Sequence, residues 1–314
     1  MPAPATTDGL LLVDKPAGVS SHDVVSIARR AIGEKRIGHA GTLDPFATGL
    51  LILCAGRATR LLQHLPDEPK VYRATIRFGA ETDTEDLQGE VVREAELPTR
   101  DALLAALPTF VGALEQVPPA YSAKRVDGKR AYERARAGEA LDLAAVPIRV
   151  ERWEVLALRD ADGADIGGES DGAPGSVGAH GAARVAEAEV RVTCGGGTYV
   201  RSLARDLARS AGSAAHLVAL RRERCGAFDV AQATTVEQLK AGEAPLRPAL
   251  DALPGFPVQA LSDDELQRIV RGIAVDASTD GAWAALVRDD RPVLVALAER
   301  REDKWQPRVV MREA

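Results

Sequence analysis

Apolar and polar residues alternate along the chain with two different periods, and these periods predict its strands and helices. Within residues 71–78, apolar and polar residues alternate from Tyr72 to Phe78, which predicts a strand with one buried face. Residues 21–33 place apolar side chains at helical spacing and end in glycine, which predicts a helix capped by Ser20 or Ser21. The same reasoning predicts strands at 10–13 and 189–193, and helices at 101–107, 129–137 and 199–210.

Two segments interrupt these patterns. Residues 160–184 consist mainly of Gly, Ala, Asp and Ser, which predicts a flexible insertion between two strands. Residues 245–258 are rich in proline, which predicts a linker between a large domain, residues 1–244, and a small module, residues 259–314. Within the small module we predict a helix at about 262–271 and strands at 283–287, 292–298 and 307–311.

Charge is distributed unevenly along the chain. The 314 residues are 46% hydrophobic, enough for a sizeable core, and the formal net charge is −6. An acidic average argues against a nucleic-acid partner unless basic residues cluster locally. Residues 124–136 and 201–224 each hold six basic residues against two acidic ones, so either segment could face phosphate groups. Solvated helix faces are the alternative for both clusters.

Several classes of protein lack support in the sequence. The three cysteines form no C-x-x-C pair, so neither a disulfide framework nor a zinc site is predicted. The first residues lack the apolar core of a signal peptide, and no run of about 18 apolar residues is present. The glycine motifs that bind nucleotides and the H-E-x-x-H metal motif are also missing. We therefore expect a cytoplasmic protein that is not bound to a membrane and has no metal site.

Residues 38–51 have the most unusual local composition in the chain. Three glycines and a proline fall within twelve residues, which indicates a loop of special backbone shape. Asp44 precedes Pro45 and is therefore biased towards an extended conformation. A carboxylate held in this way beside apolar residues is positioned for chemistry, although an aspartate that stabilises a turn also fits the spacing.

The sequence of this loop, GHAGTLDPFATGLL, resembles the catalytic motif of the bacterial TruB-type tRNA pseudouridine synthases, in which the aspartate of G-x-L-D-P is the nucleophile. Other blocks that resemble this family occur in order over about residues 9–228. They are GLLLVDKPAGVSSHDVV before the loop and, after it, KVYRA, TDTEDLQG, PPAYSAK with GKRAY, GTYVRSL, and AHL with LRR. So many ordered blocks do not arise by chance.

The resemblance implies a fold and a reaction. The fold would be α+β, a mixed and largely antiparallel sheet with flanking helices, followed by a small PUA-like β-barrel that would bind RNA. The reaction would be the isomerisation of uridine to pseudouridine at position 55, in the TΨC loop of tRNA. Since uracil is only detached, turned and rejoined through carbon, we expect no cofactor. The compact length favours a monomer that binds the tRNA T arm without an obligate protein partner.

The resemblance also assigns roles to individual residues. Asp44 would attack the substrate, and Arg201 would keep its carboxylate charged, because burial beside a base would otherwise raise the carboxyl pKa. The target uridine must leave its stack, and Tyr72 would then stack on it. For Arg201 a phosphate contact is the alternative role, and for Tyr72 a place in the core.

The remaining candidates would shape the pocket or follow the RNA backbone. Tyr199 and Leu220 would close the pocket, with core packing as the alternative for Leu220, and His39 would enter the gap left by the flipped base. Backbone contacts are predicted for basic residues in three regions, because RNA loops are recognised by shape and by splayed bases. These residues are Lys35, Arg36, Lys124, Arg130, Arg221 and Arg222.

Three other functions stay open at this point. An RNA-binding or RNA-folding protein without catalysis would use the same basic clusters but would not need Asp44. A phosphatase with an aspartyl nucleophile would need a second acid near Asp44, in a D-x-D-x-[TV] run that the sequence lacks. The third alternative is a related pseudouridine synthase that acts on another RNA, which would share the reaction and differ only in the substrate.

Overall fold

A computed structural model describes residues 7–122, 143–167, 182–290 and 292–311, together with the backbone of 125–126 and 129–130. The strands are β1 (Gly9–Lys15), β2 (Ile37–Ala40), β3 (Thr48–Ala55), β4 (Lys70–Phe78), β5 (Ala80–Thr82), β6 (Val91–Glu94), β7 (Gly112–Gln116), β8 (Arg125–Val126), β9 (Lys129–Arg130), β10 (Val146–Arg159), β11 (Glu187–Cys194), β12 (Ala215–Cys225), β13 (Phe228–Asp229), β14 (Thr234–Thr235), β15 (Arg247–Pro248), β16 (Val258–Leu261), β17 (Val275–Asp276), β18 (Trp283–Arg288), β19 (Leu294–Arg301) and β20 (Lys304–Val310). The α-helices are α1 (Ser21–Ile32), α2 (Arg100–Ala106), α3 (Val200–Ser210), α4 (Val236–Lys240) and α5 (Asp263–Val270), and 3₁₀ turns cover Gly56–His64, Leu107–Phe110, Val230–Gln232 and Ala249–Ala252.

The described residues form two compact units. The central unit is Glu68–Cys225, and the terminal unit combines the residues up to Asp67 with those from Gly226 onwards.

The terminal unit begins with a small sheet covered by α1. Strand β1 runs antiparallel to β3 along its whole length, and β2 also pairs antiparallel with β3. Helix α1 starts where predicted because Ser20 and Asp23 form a reciprocal capping box, and it ends at Gly33, whose φ of 73° is left-handed. Its apolar face, including Val24 and Ala28, packs on β1 and β3 in one buried cluster.

The C-terminal part of the terminal unit is a five-stranded sheet in the order β16-β18-β19-β20-β17. Helix α5 packs on it, and Trp305 lies fully buried in the shared core. The Trp305 indole N–H donates to Gln259 Oε1 at 2.8 Å, so the one polar atom of this ring is satisfied. The sequence predictions of one helix and three main strands in this module match α5, β18, β19 and β20.

The central unit contains an antiparallel run of strands in the order β12-β4-β11-β10-β7. The predicted alternation on β4 is confirmed, since Tyr72, Ala74, Ile76 and Phe78 are buried while the residues between them are exposed or half-buried. Helix α3, at the predicted position, buries most of its length.

Three segments differ in part from their sequence interpretation. A helix was predicted at 129–137, but residues 129–130 form β9, which pairs with β8, so no helix begins at 129. The prediction overlooked the sequence Asp127-Gly128, which is a hairpin signal. Residues 131–137 lie outside the described residues. In the segment 160–184, Ile166 is buried and Arg184 pairs with Thr99, so both of its ends are ordered, while 168–181 are not described. Within 245–258, β15 pairs with β1 and Leu253 is buried, so this stretch packs on the terminal unit.

Candidate functional site

The loop that carries Asp44 joins β2 to β3 in the terminal unit, and Asp44 itself is half-buried. The residue before it is fixed by one hydroxyl group. The buried Ser21 hydroxyl accepts the Leu43 N–H at 2.9 Å and donates to the Leu43 carbonyl at 3.1 Å. Both polar groups of the Leu43 main chain are therefore bonded to the first turn of α1.

The residue after Asp44 is fixed by a buried lysine. The Lys15 ammonium, fully buried, donates to the carbonyls of Pro45 at 3.3 Å and Val19 at 2.7 Å. The Gly18 N–H also donates to the Pro45 carbonyl at 2.8 Å, and Gly18 has a φ of 84° that favours glycine. Lys15 and Ser21 thus hold the two neighbours of Asp44, and the sequence interpretation missed both, although each lies in the block GLLLVDKPAGVSSHDVV.

His39 lies on β2 opposite Leu53 of β3, half-buried and five residues before Asp44. The preceding Gly38 has a packing reason. A Cβ atom there would come within 2.7 Å of the Leu62 Cδ1 methyl, so a larger residue at this position would require the Leu62 side chain to shift.

Tyr72 lies on β4 in the central unit, opposite Val192 of β11 and Arg222 of β12. Burial raises the pKa of the Tyr72 phenol to about 12, and the charge and hydrogen bond of the Arg222 guanidinium oppose this shift only in part. The phenol is therefore protonated throughout the physiological range and available as a hydrogen-bond donor.

Two further pocket candidates lie in the same unit. Leu220 pairs with Ala74, two residues from the Tyr72–Arg222 pair, so Leu220 and Tyr72 share one face of the sheet as diagonal neighbours. Tyr199 caps α3 and is half-buried. The sequence interpretation did not single out Gln116. Its side-chain amide accepts the Tyr199 main-chain N–H at 2.9 Å and donates to the Tyr199 carbonyl at 3.0 Å.

Arg201 is buried in the central unit, with a side chain that is 3% exposed. Its guanidinium donates to the carbonyls of Thr84 at 2.7 Å and Tyr121 at 2.9 Å, and lies 3.9 Å from the Asp86 carboxylate. This burial argues against the alternative role of Arg201 as a contact for RNA phosphates.

Two other arginines of α3 also have internal acidic partners. Arg205 forms an ion pair with Glu85, which is buried and also accepts the Ser202 hydroxyl at 2.8 Å. Arg209 pairs with Glu81 at 2.6 Å. Burial raises the pKa of the Glu85 carboxyl, while the Arg205 charge opposes that rise. Much of the basic cluster at 201–224 therefore stabilises the central unit instead of forming a free surface.

The predicted RNA-backbone residues have different surroundings. Lys35 and Arg36 are exposed and Arg221 is half-buried. Arg222 is 1% exposed, and its hydrogen bond to Tyr72 points it into the unit, so we correct its assignment as a backbone contact. Lys124 and the side chain of Arg130 lie outside the described residues.

The candidates thus fall into two sets. His39 and Asp44 belong to the terminal unit, with Lys15 and Ser21 around the aspartate loop. The central unit brings together the other set, which consists of Tyr72, Tyr199, Arg201 and Leu220.

Comparisons with known proteins match most of the chain to one protein family. The family model of the TruB family pseudouridylate synthase N-terminal domain matches residues 29–200, and that of the tRNA pseudouridylate synthase B C-terminal domain matches residues 201–253. The tRNA pseudouridine synthase B of Thermobifida fusca is 44% identical, over 96% of this chain and 98% of the relative. The tRNA pseudouridine synthase B of Mycobacteroides abscessus is 40% identical, over 100% of this chain and 99% of the relative.

Solved structures show the same fold at lower identity. One is a chain from an H/ACA RNP bound to a substrate RNA containing 2′-deoxyuridine, with a TM-score of 0.66 at 20% identity. The match covers 97% of this chain and 85% of that chain. A chain of a Cbf5–Nop10–Gar1 complex has a TM-score of 0.64 at 22% identity, and the match covers 98% of this chain and 84% of that chain.

The fold and the family matches together define the chain as a pseudouridine synthase, an RNA-modifying isomerase. Within this class it belongs to the TruB family. The expected α+β fold is confirmed, including the small C-terminal sheet of PUA-like type.

Two further observations concern the described residues only. None of their helices is both long and apolar enough to cross a membrane. None of their His, Cys, Asp and Glu side chains form a group of three or more that could hold a metal ion.

Replacing Ser21 by alanine tests the anchoring of the Asp44 loop. Ser21→Ala removes both hydrogen bonds to Leu43, and a shift of about 1 Å in a reacting group can lower a rate by roughly 10²-fold. We expect the rate of pseudouridine formation to fall about ten- to a hundredfold while the protein stays folded.

The neighbouring serine provides a matched control. Ser20→Ala removes the cap of α1, which costs about 1 kcal/mol of stability, but leaves the Leu43 contacts intact. Equal rates for the two variants would contradict the anchoring role of Ser21.

The raised pKa of Tyr72 makes stability depend on pH in the alkaline range. Its folded pKa of about 12 exceeds the ordinary value of 10.0, so the stabilisation is complete below pH 10 and is lost as the pH rises towards 12. Urea unfolding of the wild type should show a loss of about 1.4 kcal/mol at pH 11 that Tyr72→Phe lacks. The same pH dependence in both proteins would show that Tyr72 is not buried as described.

Proposed function

We propose that the protein isomerises uridine to pseudouridine at position 55 in the TΨC loop of tRNA, with Asp44 as the nucleophile. The observation that carries the proposal is the anchoring of both neighbours of Asp44. Ser21 binds Leu43 and Lys15 binds Pro45, so the backbone that bears the carboxylate is fixed on each side. A side chain held on such a loop is pre-organised for attack.

The choice of tRNA as substrate is supported by the relatives. The proteins that are 40–44% identical over nearly their whole length are named tRNA pseudouridine synthase B. A loop uridine in tRNA is stacked, so the reaction requires the base to be flipped into a pocket.

The proposed reaction replaces the bond between C1′ and N1 of uracil with a bond between C1′ and C5. Asp44 forms a covalent bond to the nucleotide, and the bond between C1′ and N1 breaks. The uracil turns so that its C5 faces C1′, and a C1′–C5 bond forms. The bond to Asp44 breaks, the C5 proton passes to solvent, and N1, now free of C1′, takes up a proton from solvent, so the product is an isomer of the substrate. The overall step is neutral in electrons and needs no co-reactant, so we expect no cofactor.

The other candidates have supporting roles in this proposal. Tyr72 is suited to stack on the flipped uracil, and its protonated phenol can act in proton transfer as a donor, so the C5 proton must pass to another acceptor. Leu220 shares its face of the sheet, and Tyr199 is held by Gln116, so both are suited to close the pocket. Arg201 would hold the Asp44 carboxylate charged, and His39 would fill the gap in the RNA.

Tritium release tests the substrate and its position. A full-length tRNA transcript labelled with tritium at C5 of its uridines should release about one equivalent of tritium per tRNA on incubation with the protein. A matched transcript with cytidine in place of uridine 55 should release none.

Two results would contradict this part of the proposal. Release from the cytidine 55 transcript would move the target to another uridine. No release from either transcript, although both bind, would favour another RNA substrate or an RNA-binding role without catalysis.

A further inference from the structure

A groove of about 450 Å³ in the terminal unit is lined by four arginines. Arg57 and Arg60 come from the 3₁₀ turn after β3, Arg36 precedes β2, and Arg271 follows α5 of the C-terminal sheet. Val270 and Val310 provide apolar parts of the wall, and no acidic residue is among the lining residues described.

The two walls of this arginine groove are fixed against each other. The Arg60 guanidinium donates to the Val310 carbonyl at 3.1 Å, and the His64 and Trp283 rings lie 4.8 Å apart. The groove is therefore a preformed feature that unites the 3₁₀ turn with the C-terminal sheet.

The groove lies at the opposite end of a strand pair from Asp44. The Gly56 N–H donates to the Arg36 carbonyl at 2.7 Å, and Ile37 pairs with Ala55, so Arg36 and Arg57 flank one end of the β2–β3 pair. Asp44 lies in the loop at the other end. The eight residues of β3 separate the two ends by about 23 Å.

The charges of the groove are only partly balanced by neighbouring carboxylates. The pKa of the Glu34 carboxyl is lowered by the hydrogen bond from the Arg36 main chain and, to a smaller extent, by the Arg36 charge, so Glu34 lies near Arg36. Within the described part of the chain, Arg36, Arg60 and Arg271 form no ion pair, and Arg57 reaches only Asp8, at 3.9 Å. Glu34 accepts the Arg36 main-chain N–H and the Thr7 hydroxyl, but it does not line the groove. The arginines of α3 contrast with these, since each is close to a carboxylate of the central unit.

Four guanidinium groups facing one groove repel each other unless an anion lies between them. The planar guanidinium matches the geometry of phosphate and binds it through two hydrogen bonds. We infer that this groove binds backbone phosphates of the RNA substrate at a point distant from the uridine that reacts. The inference rests on the proposed function and deepens it, because it names the side chains that would hold the tRNA away from the reacting uridine.

RNA fits the groove better than a small phosphate compound does. The arginines come from separate elements, and exposed Lys35 and Ile273 are chain neighbours of the lining residues Arg36 and Gly272, so the charged surface is longer than one phosphate group. A polyanion that runs from the Asp44 loop past β2, whose residues 38–40 are half-buried, would reach these arginines.

A double variant tests the inference by tRNA binding at several salt concentrations. Arg36→Gln with Arg271→Gln removes the two arginines for which the structure records neither an ion pair nor a side-chain hydrogen bond among the described residues. Arg57 and Arg60 stay, because they contact Asp8 and Val310. We expect the affinity for full-length tRNA to fall at least about tenfold. The slope of log K against log salt should become shallower by roughly 1.5, since each phosphate contact contributes about 0.7–0.9.

A second double variant controls for net charge. Arg301→Gln with Arg308→Gln removes two exposed arginines of the same sheet that pair with Glu299 and do not line the groove. It should keep the affinity and the salt slope of the wild type. In kinetic assays the loss in the groove variant should appear in KM, and Arg36→Lys with Arg271→Lys should restore part of the affinity and most of the salt slope.

Each other outcome would overturn the inference. Equal losses in the two Gln double variants would show a general charge effect, and wild-type binding by the groove variant would remove the groove from the RNA surface. If AMP or inorganic phosphate raises the melting temperature of the wild type but not of the groove variant, and tRNA binding is unchanged, the groove is a site for a small phosphate ligand. Failure of the proposed function would be seen separately, as a wild-type protein that does not release tritium from tRNA.

Discussion

The shape of the loop that carries Asp44 depends on two buried side chains that bind main-chain groups on either side of this residue. Ser21 and Lys15 lie at the start of α1 and the end of β1, and both point to the loop between β2 and β3. A buried ammonium group needs hydrogen-bond acceptors, and here carbonyl oxygens supply them. One of these acceptors, the Pro45 carbonyl, belongs to the loop, so the burial of Lys15 contributes to fixing the backbone beside Asp44.

The arginines of the protein serve two different purposes. Those of α3 are close to Glu81, Glu85 and Asp86, so they hold the central unit together and present little free charge. Those of the arginine groove have no such acidic lining. An acidic chain with a net charge of −6 can thus still offer a local positive surface, because the described lining of the groove contains arginines and no acidic residue.

The sequence predicted local structure well where a single period dominates. The alternation on β4 and the capped helix α1 both follow from short-range rules, and the family resemblance supplied the fold. The error at Arg222 was avoidable, since a period of two along β12 puts it on the same face as Leu220, which was already assigned to a pocket. The groove could not be predicted, because its arginines come from both ends of the chain and meet only in the folded terminal unit. The hydrogen bonds of Ser21 and Lys15 were hidden for the same reason.

The most direct test of this account compares binding and turnover in Asp44→Asn, which keeps the shape of the side chain but removes the nucleophile's charge. Asp280→Asn, at a fully exposed acid of the same unit, is the matched control. With tRNA labelled at uracil C5 and enzyme in excess, Asp44→Asn should bind tRNA like the wild type, because phosphate contacts supply most of the affinity, yet release no tritium. The control should release tritium at the wild-type rate. Release by Asp44→Asn at a rate near that of the wild type would contradict the assignment of Asp44 as the nucleophile.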